Sequence, residues 1–321
     1  MANVIIGIHG LDNKPEKDLL EKWWKQSIIE GLESCGYKSK LPKFELVYWA
    51  DIVYDRPLSD SEENIGTDYY LEEKYVEASE NFIVEDHSTR KKVVDFISNQ
   101  LNNIFLNEDY SLNYSSITDK ILNKYFKDLE LYFKDDSSVT VSEKLKINSR
   151  LIEVLKKHKD DKIMVIGHSM GSIIAYNVLS FELPNIPIHT FVTMGSPLAL
   201  PNVISYIAGQ QKVHKIDNPK QIKAPDSVTN NWYNFSDITD MVALNYKLSD
   251  DFSENNKGVS PVDFLVVNNY QINNKQNPHK SYGYLRTPEF AKIANDFILS
   301  EKLSLKEKVV RVIKLVINKI K

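Results

Sequence analysis

Short apolar runs alternate with helical periodicities along most of this chain. Val4-Ile5-Ile6-Gly7-Ile8, Phe44 to Trp49, Ile163-Met164-Val165-Ile166, Ile188 to Met194, Asn230 to Phe235 and Val262 to Val267 each read as a strand. Between them, Leu20, Trp23, Trp24, Ile28 and Leu32 recur at helical spacing after Pro15, and Gly36 closes that helix. A second helix spans about 142–158, with Leu145, Leu151, Ile152, Val154 and Leu155 as its expected buried side. The residues after Gly171 carry apolar positions at Ile173, Ile174 and Val178, which suits a helix packed on a sheet. Strands that alternate with helices predict an α/β fold: a mostly parallel sheet with helices on both faces.

The pattern changes at about Asp55 and does not recover until about Val139. Glycine falls to Gly66 alone, and acidic, tyrosine-rich segments replace strand-like runs. Val93, Phe96, Ile97, Leu101, Ile104 and Phe105 space as one amphipathic helix, and Ile121, Leu122, Tyr125, Phe126 and Leu129 as another. A mainly helical, cap-like insertion at 55–139 over one edge of the sheet is the expectation. Tyr69, Tyr70, Tyr75 and Phe82 either line an apolar pocket or are simply core. At the far end, 303–321 makes a basic amphipathic helix, with Leu305, Val309, Val312, Ile313, Val316 and Ile320 opposite most of the lysines. Docking on the domain is its expected arrangement, and peripheral contact with an anionic membrane the alternative.

Candidate chemistry centres on Gly167-His168-Ser169-Met170-Gly171, set between a buried strand and a helix. In that context Gly-x-Ser-x-Gly is informative, because a sharp strand-to-helix turn presents the serine hydroxyl at the carboxyl edge of the sheet. Flanking glycines are needed where a Cβ would strike the neighbouring strand or helix. Ser169 is therefore the candidate nucleophile. Upstream, His9-Gly10-Leu11-Asp12 follows the first strand, and Thr193-Met194-Gly195-Ser196-Pro197 ends a later one.

This arrangement resembles the nucleophile elbow of the α/β-hydrolase superfamily, in its lipase- and esterase-like serine hydrolases. The likeness covers about residues 3–50 and 140–295. It implies an oxyanion hole made by the N–H groups of Leu11 and Met170, with His9 a structural hydrogen-bonder rather than a catalyst. It also implies the chain order serine, acid, histidine. Among the histidines after Ser169, His189 begins a strand and His214 lies before any strand that could carry the acid, leaving His279 as the base. Asp237 and Asp240 compete as the acid. Asp240-Met241-Val242 resembles the family's Asp-x-Val segment and favours Asp240, with Asp237 bracing the loop. Asp250, Asp251 and Asp263 read as surface charges. Because the chain starts at the strand before His9-Gly10, the sheet is expected to lack two strands that often precede it.

Composition adds bounds. At 321 residues the chain suits a single α/β-hydrolase domain, and no apolar run approaches a membrane span. A net charge of −4 argues against broad nucleic-acid binding. Cys35 is the single cysteine, so no internal disulfide forms; with no leader-like segment at the start, a cytoplasmic location is expected. The histidines lack the spacing of a metal site and no glycine-rich phosphate loop occurs, so no metal and no cofactor are expected. The resemblance implies cleavage of a small-molecule or lipid carboxylic ester through a Ser-His-Asp triad and an acyl-enzyme. A non-catalytic binding module on the same fold is the alternative.

Overall fold

A computed structural model describes residues 2–64, 66–78, 140–216, 222–240, 242–243, 246–272 and 275–300. The chain runs from β1 (Asn3–Ile8) through α1 (Lys17–Ser34) and β2 (Lys43–Val47) to a single helical turn, α2 (Ala50–Val53). Helix α3 (Thr140–Lys157) then delivers it to β3 (Lys162–His168), which bends directly into α4 (Met170–Asn177). Next come β4 (Ile188–Met194), α5 (Pro201–Val213), the two-residue β5 (Ile222–Lys223) and the long β6 (Val228–Asp237). A short β7 (Phe252–Ser253) pairs with β5, and β8 (Pro261–Val266) follows. A small hairpin of β9 (Gln271–Ile272) and β10 (Lys275–Gln276) leads to α6 (Ser281–Arg286) and α7 (Pro288–Leu299).

The central sheet has the order β2-β1-β3-β4-β6-β8, and every pairing in it is parallel. Alternate residues of each strand enter different cores. Val4, Ile6, Ile8, Ile163 and Val165 pack with residues of α3, α4 and α5, whereas Ile5, Met164, Ile166, Val192 and Met194 pack with α1, α6 and α7. Burial on both faces explains why β1 and β3 are continuous apolar runs rather than alternating ones. Each such Ile or Val contributes about 1.5–3 kcal/mol by leaving water, so the central strands are the least negotiable part of the fold. The parallel register brings the carboxyl ends of β1, β3, β4, β6 and β8 to one edge, where ligands of open α/β sheets bind.

The helical phase of α3 differs from expectation. Leu145 is exposed, and Ile147 takes the buried face with Leu151 and Leu155. Those three recur every four residues, a stripe that position 145 does not join. β8 is the last strand of the sheet, which explains why Val262, Leu265 and Val267 keep substantial exposure despite their apolar character. Asp263 is more than a surface charge: its carboxylate accepts from Asn234 Nδ2 at 2.8 Å and from the N–H groups of Leu248 and Ser249 at 3.0 and 2.9 Å.

Of the expected insertion, 55–64 and 66–78 are described and contain bends and isolated bridges rather than a helix. The two amphipathic stretches at 93–105 and 121–129, Phe82, and the basic segment 303–321 lie outside the described residues. Tyr75 belongs to the core, stacked on Trp23 and edge-on to Tyr282, with its hydroxyl bonded to Ser27. Among the described residues no helix is long and apolar enough to cross a membrane.

Candidate active site

Ser169 stands at the turn between β3 and α4 with φ 52° and ψ −127°. A non-glycine residue with positive φ is held there at a cost of about 1–3 kcal/mol and persists only where its surroundings over-determine it. Here the surroundings are the two glycines of the pentapeptide. A Cβ on Gly171 would come within 2.3 Å of the Ile8 carbonyl oxygen, and one on Gly167 within 2.6 Å of the Ser172 Cα. The turn is also tied down by hydrogen bonds. Ser169 N–H donates to the Met194 carbonyl at 3.0 Å, and Ser172 Oγ–H to the Ser169 carbonyl at 2.6 Å.

His279 follows the β9–β10 hairpin, and its Nδ1 lies 3.0 and 2.9 Å from the two oxygens of Asp240. A carboxylate only accepts, so Nδ1 carries a proton, and in the neutral ring Nε2 is the nitrogen with the lone pair. Asp240 is buried and makes further bonds: its Oδ1 accepts from Val242 N–H at 2.9 Å and its Oδ2 from the Tyr284 hydroxyl at 2.7 Å. Asp237 is occupied elsewhere. Its Oδ1 accepts from both the N–H and the hydroxyl of Thr239 at 2.6 Å, and its Oδ2 from Asn268 N–H. Tyr284 links the two carboxylate positions, because its hydroxyl also accepts from Asp237 N–H at 3.0 Å. Burial and the Asp240 carboxylate together hold the Tyr284 phenol well above its ordinary pKa, so it stays a donor.

These parts converge. A Cβ on Gly10 would lie 2.7 Å from the Ser169 Cβ, and one on Gly195 would lie 2.9 Å from Asp240 Oδ2 and 3.1 Å from His279 Nδ1. The ring next to Ser169, His168, is 4.8 Å from the His279 ring between centroids. Among the described residues no hydrogen bond joins Ser169 Oγ to His279. Catalytic hydrogen bonds are often long without substrate and tighten when it binds.

The loop after β1 is built on His9. Its Nε2 accepts from Trp49 N–H at 3.1 Å, so its Nδ1 is the protonated nitrogen and donates to the Gly10 carbonyl at 2.8 Å. The Trp49 indole stacks on the imidazole at 4.7 Å and donates to the His9 carbonyl at 3.1 Å. The Gly10 oxygen and the Leu11 N–H share one trans peptide group, in which the two point in opposite directions. Holding that oxygen therefore aims the Leu11 N–H away from His9. Neither Leu11 N–H nor Met170 N–H has an acceptor among the described residues. Burial, reinforced by nearby Lys14, pushes the His9 pKa down to about 3.

A sequence model of the PGAP1-like alpha/beta domain matches residues 83–274, more than half of the chain. The chain belongs to this family. PGAP1-like domains are a family of the α/β-hydrolase superfamily, serine hydrolase-like in kind, which agrees with the parallel sheet described above. The match contains Ser169, Met170, Asp237 and Asp240 and ends before His279; it begins after His9, Gly10 and Leu11. No curated protein matches the chain.

Among the described residues, the other histidines of this PGAP1-like domain, His158, His189 and His214, are away from Ser169. His158 is buried between Glu45 and Asp161, at 3.1 and 3.0 Å, beyond the carboxyl end of α3. His189 sits near the start of β4, where burial and Lys162 push its pKa down to about 4, and His214 stacks on Phe181. Residues 66–78, by contrast, reach the segment that carries His279. Glu73 pairs with Lys280 and accepts from Asn277 Nδ2 at 3.0 Å, and Val76 N–H donates to the Tyr270 hydroxyl at 3.0 Å. Lys14 donates to the Leu11 carbonyl, and burial pushes its pKa down to about 8. A recess beside this loop is lined by Tyr48, Tyr54 and Pro57 together with Glu16, Asp51 and Arg56. Among the described residues no group of His, Cys, Asp and Glu side chains could hold a metal ion.

Tyr284, Glu73 and the bonding of His168 are contributions the sequence did not disclose. None of these interactions follows from a spacing motif, and all three join partners far apart in the chain.

Proposed function

We propose that this protein is a serine hydrolase that cleaves a carboxylic ester through an acyl-enzyme. The observation that carries the reading is the Asp240–His279 pair, set beside a serine held at positive φ. Ser169 Oγ attacks the ester carbonyl carbon while His279 Nε2 takes the hydroxyl proton. The carbonyl oxygen becomes an oxyanion and is met by the Leu11 and Met170 N–H groups, donors fixed before the reaction. Collapse of the tetrahedral intermediate breaks the bond to the alkoxy group, which leaves with the proton held by His279. Water, deprotonated by His279, then attacks the acyl carbon and releases the acid and the free serine. Asp240 keeps the imidazole in the productive tautomer and stabilises its charged form. A lipid or another apolar carboxylic ester is the proposed substrate class, and no cofactor enters the scheme.

The test is steady-state hydrolysis of a nitrophenyl ester series of increasing acyl length by the purified chain and by Ser169→Ala. The wild type is expected to turn over at least one member. Loss of the nucleophile should remove at least about 10³-fold of that rate. Equal hydrolysis by both proteins would sink the reading.

A further inference from the structure

Of the two residues flanking Ser169 in the pentapeptide, His168 sends its side chain to the backbone of the segment that carries the base. We propose that His168 is a positioning residue that locks the loop carrying His279 onto the nucleophile turn. The inference rests on the hydrolase reading above and assigns a further part of the same site.

His168 is the last residue of β3 and is buried. Its Nε2 lies 2.6 Å from the His279 carbonyl oxygen. A carbonyl only accepts, so Nε2 carries the proton and His168 is the donor. The flanking carbonyls are held by a different residue: Asn268 Nδ2 donates at 2.8 Å both to Pro278 and to Lys280. Three consecutive carbonyls around the base are thus pinned, the outer two by Asn268 and the central one by the elbow. Asp240 orients the His279 ring; among the described residues it is the His168 bond that ties its backbone to the turn that bears Ser169.

The His168 ring fills the space between the working parts. Its Nδ1 faces Gly10, where a Cβ would approach to 3.1 Å, and its ring stands 4.8 Å from that of His279 and 6.5 Å from that of Tyr284. It therefore touches the oxyanion loop on one side and the base on the other. Burial is the largest influence opposing a positive charge on it, His279, Lys14 and Lys280 act in the same direction, and the bond to the His279 carbonyl acts against them without prevailing. His168 stays a neutral donor while His279 cycles between its neutral and charged forms, so the strut holds through the reaction.

Ester turnover, thermal melting and fluorophosphonate labelling rate of the full chain test this with four variants. His168→Leu and His168→Phe remove the donor. His168→Gln places an amide N–H near the position of Nε2, and His168→Asn is one methylene short of it. Misplacing the base by about an ångström costs on the order of 100-fold, so the apolar variants should lose about that much kcat with KM changed little, and Gln should recover most of it. If neither apolar variant folds, Gln exceeding Asn in kcat carries the same conclusion. Equal kcat across the folded variants and the wild type overturns the inference alone, as does a Gln variant no better than Asn. Absence of Ser169-dependent turnover in the wild type overturns both this inference and the hydrolase reading.

Discussion

Asp240→Asn is expected to lower ester turnover by about 10³–10⁴-fold, while Asp237→Asn leaves most of it. Position 240 faces His279 Nδ1 with both oxygens. An amide there can present its N–H₂ to the imidazole, which then favours the tautomer with the proton on Nε2, where it cannot take a proton from Ser169. The fold should survive, because the amide oxygen can still accept from Tyr284 or from Val242 N–H. Position 237 carries a different load. Its two oxygens hold the Thr239 turn and the Asn268 N–H, so an amide leaves a buried donor facing a donor, at about 1–3 kcal/mol of stability. Turnover and denaturant midpoints of both variants separate the two roles. A larger loss of turnover at 237 than at 240 would overturn the assignment.

Acid should unfold this protein through His9. The ring is buried with both nitrogens engaged, Nε2 as acceptor and Nδ1 as donor, so a second proton would face the Trp49 N–H. The unfolded chain takes up that proton near the ordinary value of 6.5, the folded one only near 3. Between those values the unfolded state binds more protons, so stability falls as pH falls. The contribution is intact above about pH 6.5 and fully lost near pH 3, on the order of 4–5 kcal/mol at 1.36 kcal/mol per pKa unit. His168 and His189, also held neutral by burial, add to the trend with the same sign. The measurement is unfolding free energy against pH for the wild type and His9→Asn. The variant starts from lower stability at pH 7 but should show a flatter slope between pH 6.5 and 3. An unchanged slope would show that His9 is not the titrating group.

Much of this arrangement was legible because it rests on local chemistry. The runs at Val4 to Ile8 and Ile163 to Ile166 are continuous because central parallel strands are buried on both faces. The pentapeptide was legible because only glycine fits beside Ile8 and Ser172. His279 and Asp240 followed from chain order and the likeness to Asp-x-Val, and the two side chains do meet. What could not be read depends on partners distant in sequence. The Tyr284 hydroxyl answers a carboxylate 44 positions earlier, and His168 answers a backbone carbonyl, an acceptor every residue possesses. Helix phase failed at Leu145 because leucine on an exposed face looks no different from leucine in a core. Tyr75 was ambiguous for a related reason: an aromatic ring serves a pocket or a core equally well until its neighbours are known, and here they are Trp23 and Tyr282.

The hydrolase account stands or falls on the reactivity of one hydroxyl. Intact-mass analysis after fluorophosphonate treatment, with peptide mapping, measures it directly. One phosphonyl group is expected per chain, on the peptide containing Ser169, with none on a folded Ser169→Ala variant. A folded wild type that takes up no label, or a label that persists in Ser169→Ala, would contradict the account.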